Sequence, residues 1–346
     1  MLSLKSTTKT VIFIGSGGVG KTTTAAAFAL GKAMEGARVL ILTIDPSVRL
    51  AEVLNFKADG QIHDLTFPKM KGSFKAMTID HEKSFLHFLN QSKDSLVTEK
   101  IKSNKLFKQL STKLSGSQDF TALYNLYLHT QSEDFDYVIL DTPPAQHVIQ
   151  FLSSPEKLAN LFDEKISVWF KNFSDSDKNS FLSKVLSRGI QQVLNILKQL
   201  TGSEFMDELS AFFKAITTKQ DAIRSTISSC QKILTSKNTE FILITRFGHD
   251  QILSAKELSK KIYSNGYNVS NVIINQYPAW IHEACNPKNS LVFAIRQGYL
   301  QTESFLVEDL KKFHKNLTLY KCPIISEDMK DETYLLKIYQ LTHPVD

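Results

Sequence analysis

Gly15-Ser16-Gly17-Gly18-Val19-Gly20-Lys21-Thr22-Thr23 fits G-x-x-x-x-G-K-[ST], a loop whose backbone N–H groups wrap around phosphate oxygens. Its glycines let the main chain curl tightly, Lys21 supplies a fixed positive charge, and the Thr22 hydroxyl is a hard oxygen ligand suited to Mg²⁺. Ahead of the loop, Thr10-Val11-Ile12-Phe13-Ile14 is an apolar, largely β-branched run of strand length. Behind it, Thr22 through Met34 is alanine-rich and has helical spacing. The helix would turn its positive N-terminal end toward the anion that the loop amides enclose. The bland alternative is an ordinary glycine-rich turn, and the strand, loop, helix order weighs against it. The ligand expected is ATP with Mg²⁺.

Apolar, strand-like runs recur at Val39–Leu42, Phe74–Ile79, Tyr137–Leu140, Phe241–Thr245, Val272–Ile274 and Leu317–Tyr320, with helical patterns between several of them. Such alternation predicts an α/β fold: a mostly parallel, doubly wound sheet covered on both faces. Residues 81–133 and 151–238 are too long for simple crossovers and read as helical, so they are expected as α-helical subdomain insertions in one domain spanning 1–346. Within the second, Leu182, Val185, Leu186, Ile190, Val193, Leu194 and Leu197 recur at steps of three and four, as do Phe205, Leu209, Phe212, Phe213 and Ile216. These stripes either pack on one another or form a groove for another hydrophobic helix.

The chain of 346 residues is long enough to bury a large core without staples. Its three cysteines, Cys230, Cys285 and Cys322, are too scattered for a disulfide framework or a closed zinc site, which suits a reducing cytosol. The N-terminal MLSLKS lacks the apolar core of a signal peptide, and no stretch approaches the roughly 20 apolar residues of a membrane span, so a membrane role is expected to be peripheral. A net charge of +6 is mild for this size. The run Lys93, Lys100, Lys102, Lys105, Lys108, Lys113 lacks interleaved aromatic platforms and reads as a solvated face, not a nucleic-acid surface. The C-terminal Thr333–Leu341 is somewhat amphipathic and is expected to pack on the core.

Two strands end in acids. Val39–Leu42 leads into Thr43-Ile44-Asp45-Pro46, and Tyr137–Leu140 into Asp141-Thr142-Pro143-Pro144. Both carboxylates fall at the carboxyl edge of the sheet, where open α/β folds bind ligands. From there Asp45 can orient an attacking water and Asp141 can hold Mg²⁺ directly or through its water shell. Singly, such an acid is more often a turn or cap residue; beside a phosphate loop the functional reading prevails.

The phosphate loop, Asp45-Pro46 and Asp141-Thr142-Pro143-Pro144 followed by His147 resemble the ArsA-type ATPases, relatives of the ATPases that target tail-anchored proteins. The resemblance spans nearly the full length. It implies a P-loop NTPase fold and a dimeric, Mg²⁺-dependent ATP hydrolase with facing nucleotide sites. By matched position, Asp45 polarises the attacking water, Thr22 ligates Mg²⁺, Asp141 supports it through water, and residues 141–147 act as a second switch. Asn275 resembles the adenine-reading asparagine and Pro323 the later adenine-loop proline.

The chain also departs from that family. Most relatives carry a lysine at the position of Ser16, reaching across the dimer to the partner's phosphates. Its loss implies a heterodimer with a related ATPase that donates the lysine, as some serine-type bacterial members come in pairs; the competing expectation is a homodimer in which Arg49 supplies the charge. The interfacial C-x-x-C zinc pair is absent, since Lys288 stands three positions after Cys285, and Met206 is the lone methionine between 151 and 240, which weakens a tail-anchor client. Ala145-Gln146 replaces Thr-Gly before the histidine, and Thr245-Arg246-Phe247-Gly248 departs from Thr-x-Pro-Glu.

Overall fold

A computed structural model describes residues 2, 4–44, 49–89, 117–161, 220–282, 290–314, 317–325 and 332–344. They fall in two compact units. The first takes Met1–Ile79, Asn125–Leu152 and Lys232–Asp346; the second takes Asp80–Tyr124 and Ser153–Gln231. The lysine run at 93–113, the two apolar helical stripes, Cys285 and Asp45-Pro46 lie outside the described residues.

The first unit is built on a sheet in which strand β1 (Thr10–Gly15) is central and wholly buried. Its neighbours are β5 (Tyr137–Asp141) and β6 (Thr239–Thr245), both parallel to it, with Ile12 paired to Leu140 on one side and Phe241 on the other. Outward from β5 lie β2 (Arg38–Thr43), β4 (Ser73–Thr78) and β3 (His63–Leu65); outward from β6 lie β7 (Val269–Tyr277), β8 (Thr318–Pro323) and β9 (His343–Pro344). From β4 to β8 every pairing is parallel. Parallel strands covered on both faces favour apolar residues at nearly every position, which is why β1, β2, β5 and β6 read as near-continuous apolar runs. The two edges, β3 and β9, are antiparallel additions that the apolar-run criterion passes over. Because the chain builds to one side of β1 through β5 and to the other from β6, a crevice opens at the carboxyl end of β1.

Helix α1 (Lys21–Glu35) starts directly at the phosphate loop. It ends at Gly36, whose φ of 113° is the left-handed conformation of a C-terminal cap; the Gly36 and Ala37 amides donate to Ala33 O and Lys32 O. Ala25, Ala26, Ala27, Ala29 and Ala33 are all buried, so the small side chains let α1 lie close to its neighbours. One neighbour is the C-terminal helix α10 (Glu332–Leu341), whose Leu335, Ile338 and Tyr339 enter the core and whose Tyr339 ring lies 6.1 Å from Phe28. The apolar face of the C-terminal helix is therefore committed to the core, as its pattern predicts.

In the second unit, α3 (His81–Leu89) and the first turns of α4 (Ser117–Gln131) meet through a buried aromatic group. Phe88 packs edge-on to Phe120 at 4.7 Å and to Tyr124 at 5.5 Å, and His87 Nδ1 lies 2.8 Å from the Tyr124 hydroxyl. The remaining helices are α2 (Arg49–Leu54), α5 (Ala145–Leu152), α6 (Ser154–Leu161), α7 (Gln220–Leu234), α8 (His249–Ser264) and α9 (Ser290–Phe313). Among the described residues no helix is long and apolar enough to cross a membrane.

Candidate nucleotide site

The loop between β1 and α1 takes its shape from two glycines that cannot be replaced without strain. A Cβ on Gly15 would lie 2.3 Å from the Ile244 carbonyl oxygen of β6, so only glycine lets the strand turn there. Gly20 has a φ of 89°, in the left-handed region, and a Cβ there would lie 2.3 Å from Asn275 Nδ2. Its carbonyl then starts the helix, accepting the Thr24 N–H at 2.9 Å and the Thr24 hydroxyl at 2.8 Å. Lys21 is largely buried and donates to the Ser16 carbonyl at 3.2 Å, so the ammonium folds back over the loop that would hold phosphates. Val19 is buried beneath the loop.

The acid at the end of β5 is joined to this loop. Thr22 Oγ1 donates to Asp141 Oδ2 at 2.8 Å, and the Thr43 hydroxyl at the end of β2 donates to the same oxygen at 3.4 Å. Asp141 is fully buried, and the Thr142 hydroxyl beside it donates to Phe13 O at 2.6 Å, fixing the path of the chain past β1. Hydroxyl and carboxylate oxygens are hard donors of the kind Mg²⁺ takes beside phosphate oxygens and water. No cluster of three His, Cys, Asp or Glu side chains able to enclose a metal exists among the described residues, and an ion held largely by its nucleotide and its waters requires none.

A cavity of about 280 Å³ opens over these groups, lined by Gly17, Gly18, Gly20, Lys21, Thr22, Thr23, Arg49, Glu52, Val53, Thr142 and Pro144. Arg49 is exposed at the start of α2. Glu52 and Val53 follow it by three and four residues, one helical turn, so they share its face; that spacing is the signal by which they could have been anticipated. A larger cavity, about 420 Å³, lies between α8 and α9 and shares no lining residue with the first. Its walls are mainly apolar and lack the phosphate-binding loop.

The expected adenine residues are in the same unit. Asn275 Nδ2 donates to Val19 O at 2.9 Å, and its Oδ1 accepts the Gln276 N–H at 2.9 Å, with Gln276 in the left-handed region at φ 52°. Pro323 closes β8, where the Ile324 amide donates to Tyr277 O at 3.1 Å. Just before it, Lys321 pairs with Glu303 at 2.7 Å, and the Tyr277 hydroxyl donates to the other Glu303 oxygen at 2.7 Å. Burial, with the Glu303 carboxylate adding to it, pushes the Tyr277 hydroxyl well above its ordinary pKa. His147 is exposed on α5, its Nδ1 lies 3.3 Å from Gln150 Oε1, and it does not line the cavity. Cys230 and Cys322 are buried, and burial pushes the Cys230 thiol up to about 12, which suits a core residue and not a metal ligand.

The sequence profile of the ArsA family, described as anion-transporting ATPase, matches residues 8–342. The chain is 24% identical to the protein named ATPase get3 of Schizosaccharomyces japonicus over 344 residues, covering 99% of this chain and 95% of that one. It is 25% identical to the putative arsenical pump-driving ATPase 2 of Aquifex aeolicus over 221 residues, 60% of this chain and 69% of that protein. ATPase GET3 of Phaeosphaeria nodorum is 22% identical over 335 residues, 94% of this chain and 92% of its own. With a phosphate loop at the crevice of a doubly wound sheet and a family match running from residue 8 to residue 342, the chain belongs to the ArsA family of ATPases and is an ATP hydrolase.

Proposed function

We propose that the chain is a Mg²⁺-dependent dimeric switch, in which ATP binding and hydrolysis change the state of a helical region, residues 81–133 and 151–238, that engages a client or partner. The observation that carries the nucleotide half is the 2.8 Å bond from the Thr22 hydroxyl to Asp141 at the loop that holds Lys21. Loop amides from Gly15 to Thr23 bind the phosphates, Lys21 neutralises their far end, and Thr22 with Asp141 holds the metal side, Asp141 through water. Thr22 and Asp141 would hold Mg²⁺, which would supply neutralisation of charge on the β- and γ-phosphate oxygens. Asp45, with Pro46, orients the attacking water. The residues from Asp141 to His147 form the second switch, His147 acting through its conformation. Asn275 and Pro323 flank the base. Phosphoryl transfer of this kind demands positioning and charge stabilisation more than a strong base.

Lys21→Ala should abolish Mg²⁺-dependent ATP turnover and weaken ATP binding measured by calorimetry. Unchanged turnover in that variant overturns the reading.

Ser16 favours a second reading, a heterodimer with a related ATPase in which this chain binds ATP and hydrolyses it weakly because it lacks the lysine that reaches across. Purification from the native cell with and without ATP separates a pair of unlike subunits from a homodimer. The resemblance to tail-anchor-targeting ATPases suggests a hydrophobic helix as client, and the arsenical pump-driving relative an anion-handling partner. A cytoplasmic protein that visits the membrane through such partners fits this reading. The C-terminal helix α10 does not serve as a membrane anchor in this reading, because Leu335, Ile338 and Tyr339 of its apolar face are in the core.

A further inference from the structure

We propose that Arg49 is a catalytic residue that supplies, from within its own chain, the positive charge that Ser16 does not. The inference rests on the reading of the loop as an ATP site and concerns which group completes it. Arg49 lines the cavity that Gly18, Lys21 and Thr22 also line, so Arg49 and the phosphate loop border one space within one chain. Helix stability does not account for it: Arg49 is the first residue of α2, where a cation meets the positive end of the helix and is disfavoured. Glu52 lines the same cavity, yet among the described residues no ion pair joins it to Arg49.

A planar guanidinium with several N–H donors matches phosphate oxygens in a way that a hydroxyl such as Ser16 cannot. In hydrolysis a water oxygen bonds to the γ-phosphorus while the bond from that phosphorus to the β–γ bridging oxygen breaks. The electron pair leaves with ADP, and the water's protons pass to the released phosphate and to solvent. Arg49 donates to the oxygens on which negative charge grows. Because the interaction strengthens in the transition state, it raises turnover more than ground-state affinity.

The test uses the full chain with Mg²⁺. Arg49→Ala should lower kcat by roughly 10³-fold, the scale of arginine contributions in phosphoryl transfer. Calorimetry should show ADP affinity unchanged, which also reports a folded site, and binding of ADP with aluminium fluoride weakened by about tenfold or more. Arg49→Lys should recover part of the rate. Mixing Arg49→Ala with Lys21→Ala chains should restore nothing, since each active site needs both residues from one chain. Recovery on mixing overturns the proposal by showing donation across a dimer, and so does wild-type kcat in Arg49→Ala. Wild-type chain that binds ATP without turning it over overturns the role of Arg49 and leaves the nucleotide site standing; absence of ATP binding overturns both.

Discussion

The side-chain amide of Asn275, at the end of β7, donates to the main-chain carbonyl of Val19 inside the phosphate loop at 2.9 Å, across 256 residues of sequence. The same amide nitrogen is what a Cβ on Gly20 would strike. Asn275 is thus placed to steady the loop, apart from the base-reading role proposed for it. Asn275→Ala should weaken ATP binding by about 3- to 10-fold, the effect of one net hydrogen bond, and weaken inorganic pyrophosphate binding to a similar degree. A residue that only reads adenine would leave pyrophosphate unaffected, so calorimetry with both ligands decides between the two roles.

Asp141, itself fully buried, accepts the Thr22 hydroxyl at the floor of the cavity, so its charge is only partly screened by solvent. Asp141→Asn keeps the shape and removes that charge. Turnover should fall by roughly 10²- to 10³-fold, and the Mg²⁺ concentration for half-maximal rate should rise. A variant with an unchanged Mg²⁺ dependence would show that Asp141 serves the loop's structure alone.

The parts of this protein that were legible in its sequence are those where local chemistry allows one answer. Buried parallel strands demand unbroken apolar runs, so β1, β2, β5 and β6 stand out, and the glycine pattern before Lys21 identifies the loop. The edge strands were not legible: His63-Asp64-Leu65 and His343-Pro344 carry no strand pattern of their own and take strand form from the neighbour they pair with. Pro344, lacking an N–H, is tolerated because it stands on an edge. Glu52 and Val53 escaped notice because their place at the site depends on how α2 approaches the loop. The tie from Asn275 to Val19 is a long-range contact that no local periodicity encodes.

Gly31 shows the same limit inside a helix. Nothing in an alanine-rich run distinguishes it, yet a Cβ there would lie 2.3 Å from the Tyr339 ring of α10. That ring is held in place, since its hydroxyl donates to Glu35 Oε1 at 2.6 Å and Lys32 pairs with the same carboxylate group at 2.9 Å. Gly31→Ala should therefore destabilise the fold by about 1–3 kcal/mol in urea unfolding, although alanine is the better helix former. In a Tyr339→Ala background the same substitution should be neutral or stabilising, because the obstacle is gone. Equal effects in both backgrounds would contradict the contact.

Acid sensitivity should come first from buried histidines. His314, at the end of α9, is fully buried; its Nδ1 accepts the Val269 N–H at 3.2 Å and its Nε2 lies 2.9 Å from the Ser259 hydroxyl. A protonated ring would turn Nδ1 into a donor, losing the Val269 bond and facing the Asn268 side-chain oxygen 3.0 Å away instead. Burial holds the pKa of His314 below the ordinary histidine value, and burial lowers His81 and His129 likewise. With the folded pKa depressed, the unfolded chain binds more protons once the pH drops below about 6.5, so the stability these groups contribute is complete above that pH and is lost on acidification. Unfolding free energy should fall between about pH 6.5 and 5, by at most about 1.4 kcal/mol per pH unit for each such histidine, before carboxylates protonate. His314→Gln lowers stability at neutral pH but should make this acid slope shallower than that of the wild type, as measured by urea unfolding at a series of pH values; an unchanged slope would remove His314 from the cause.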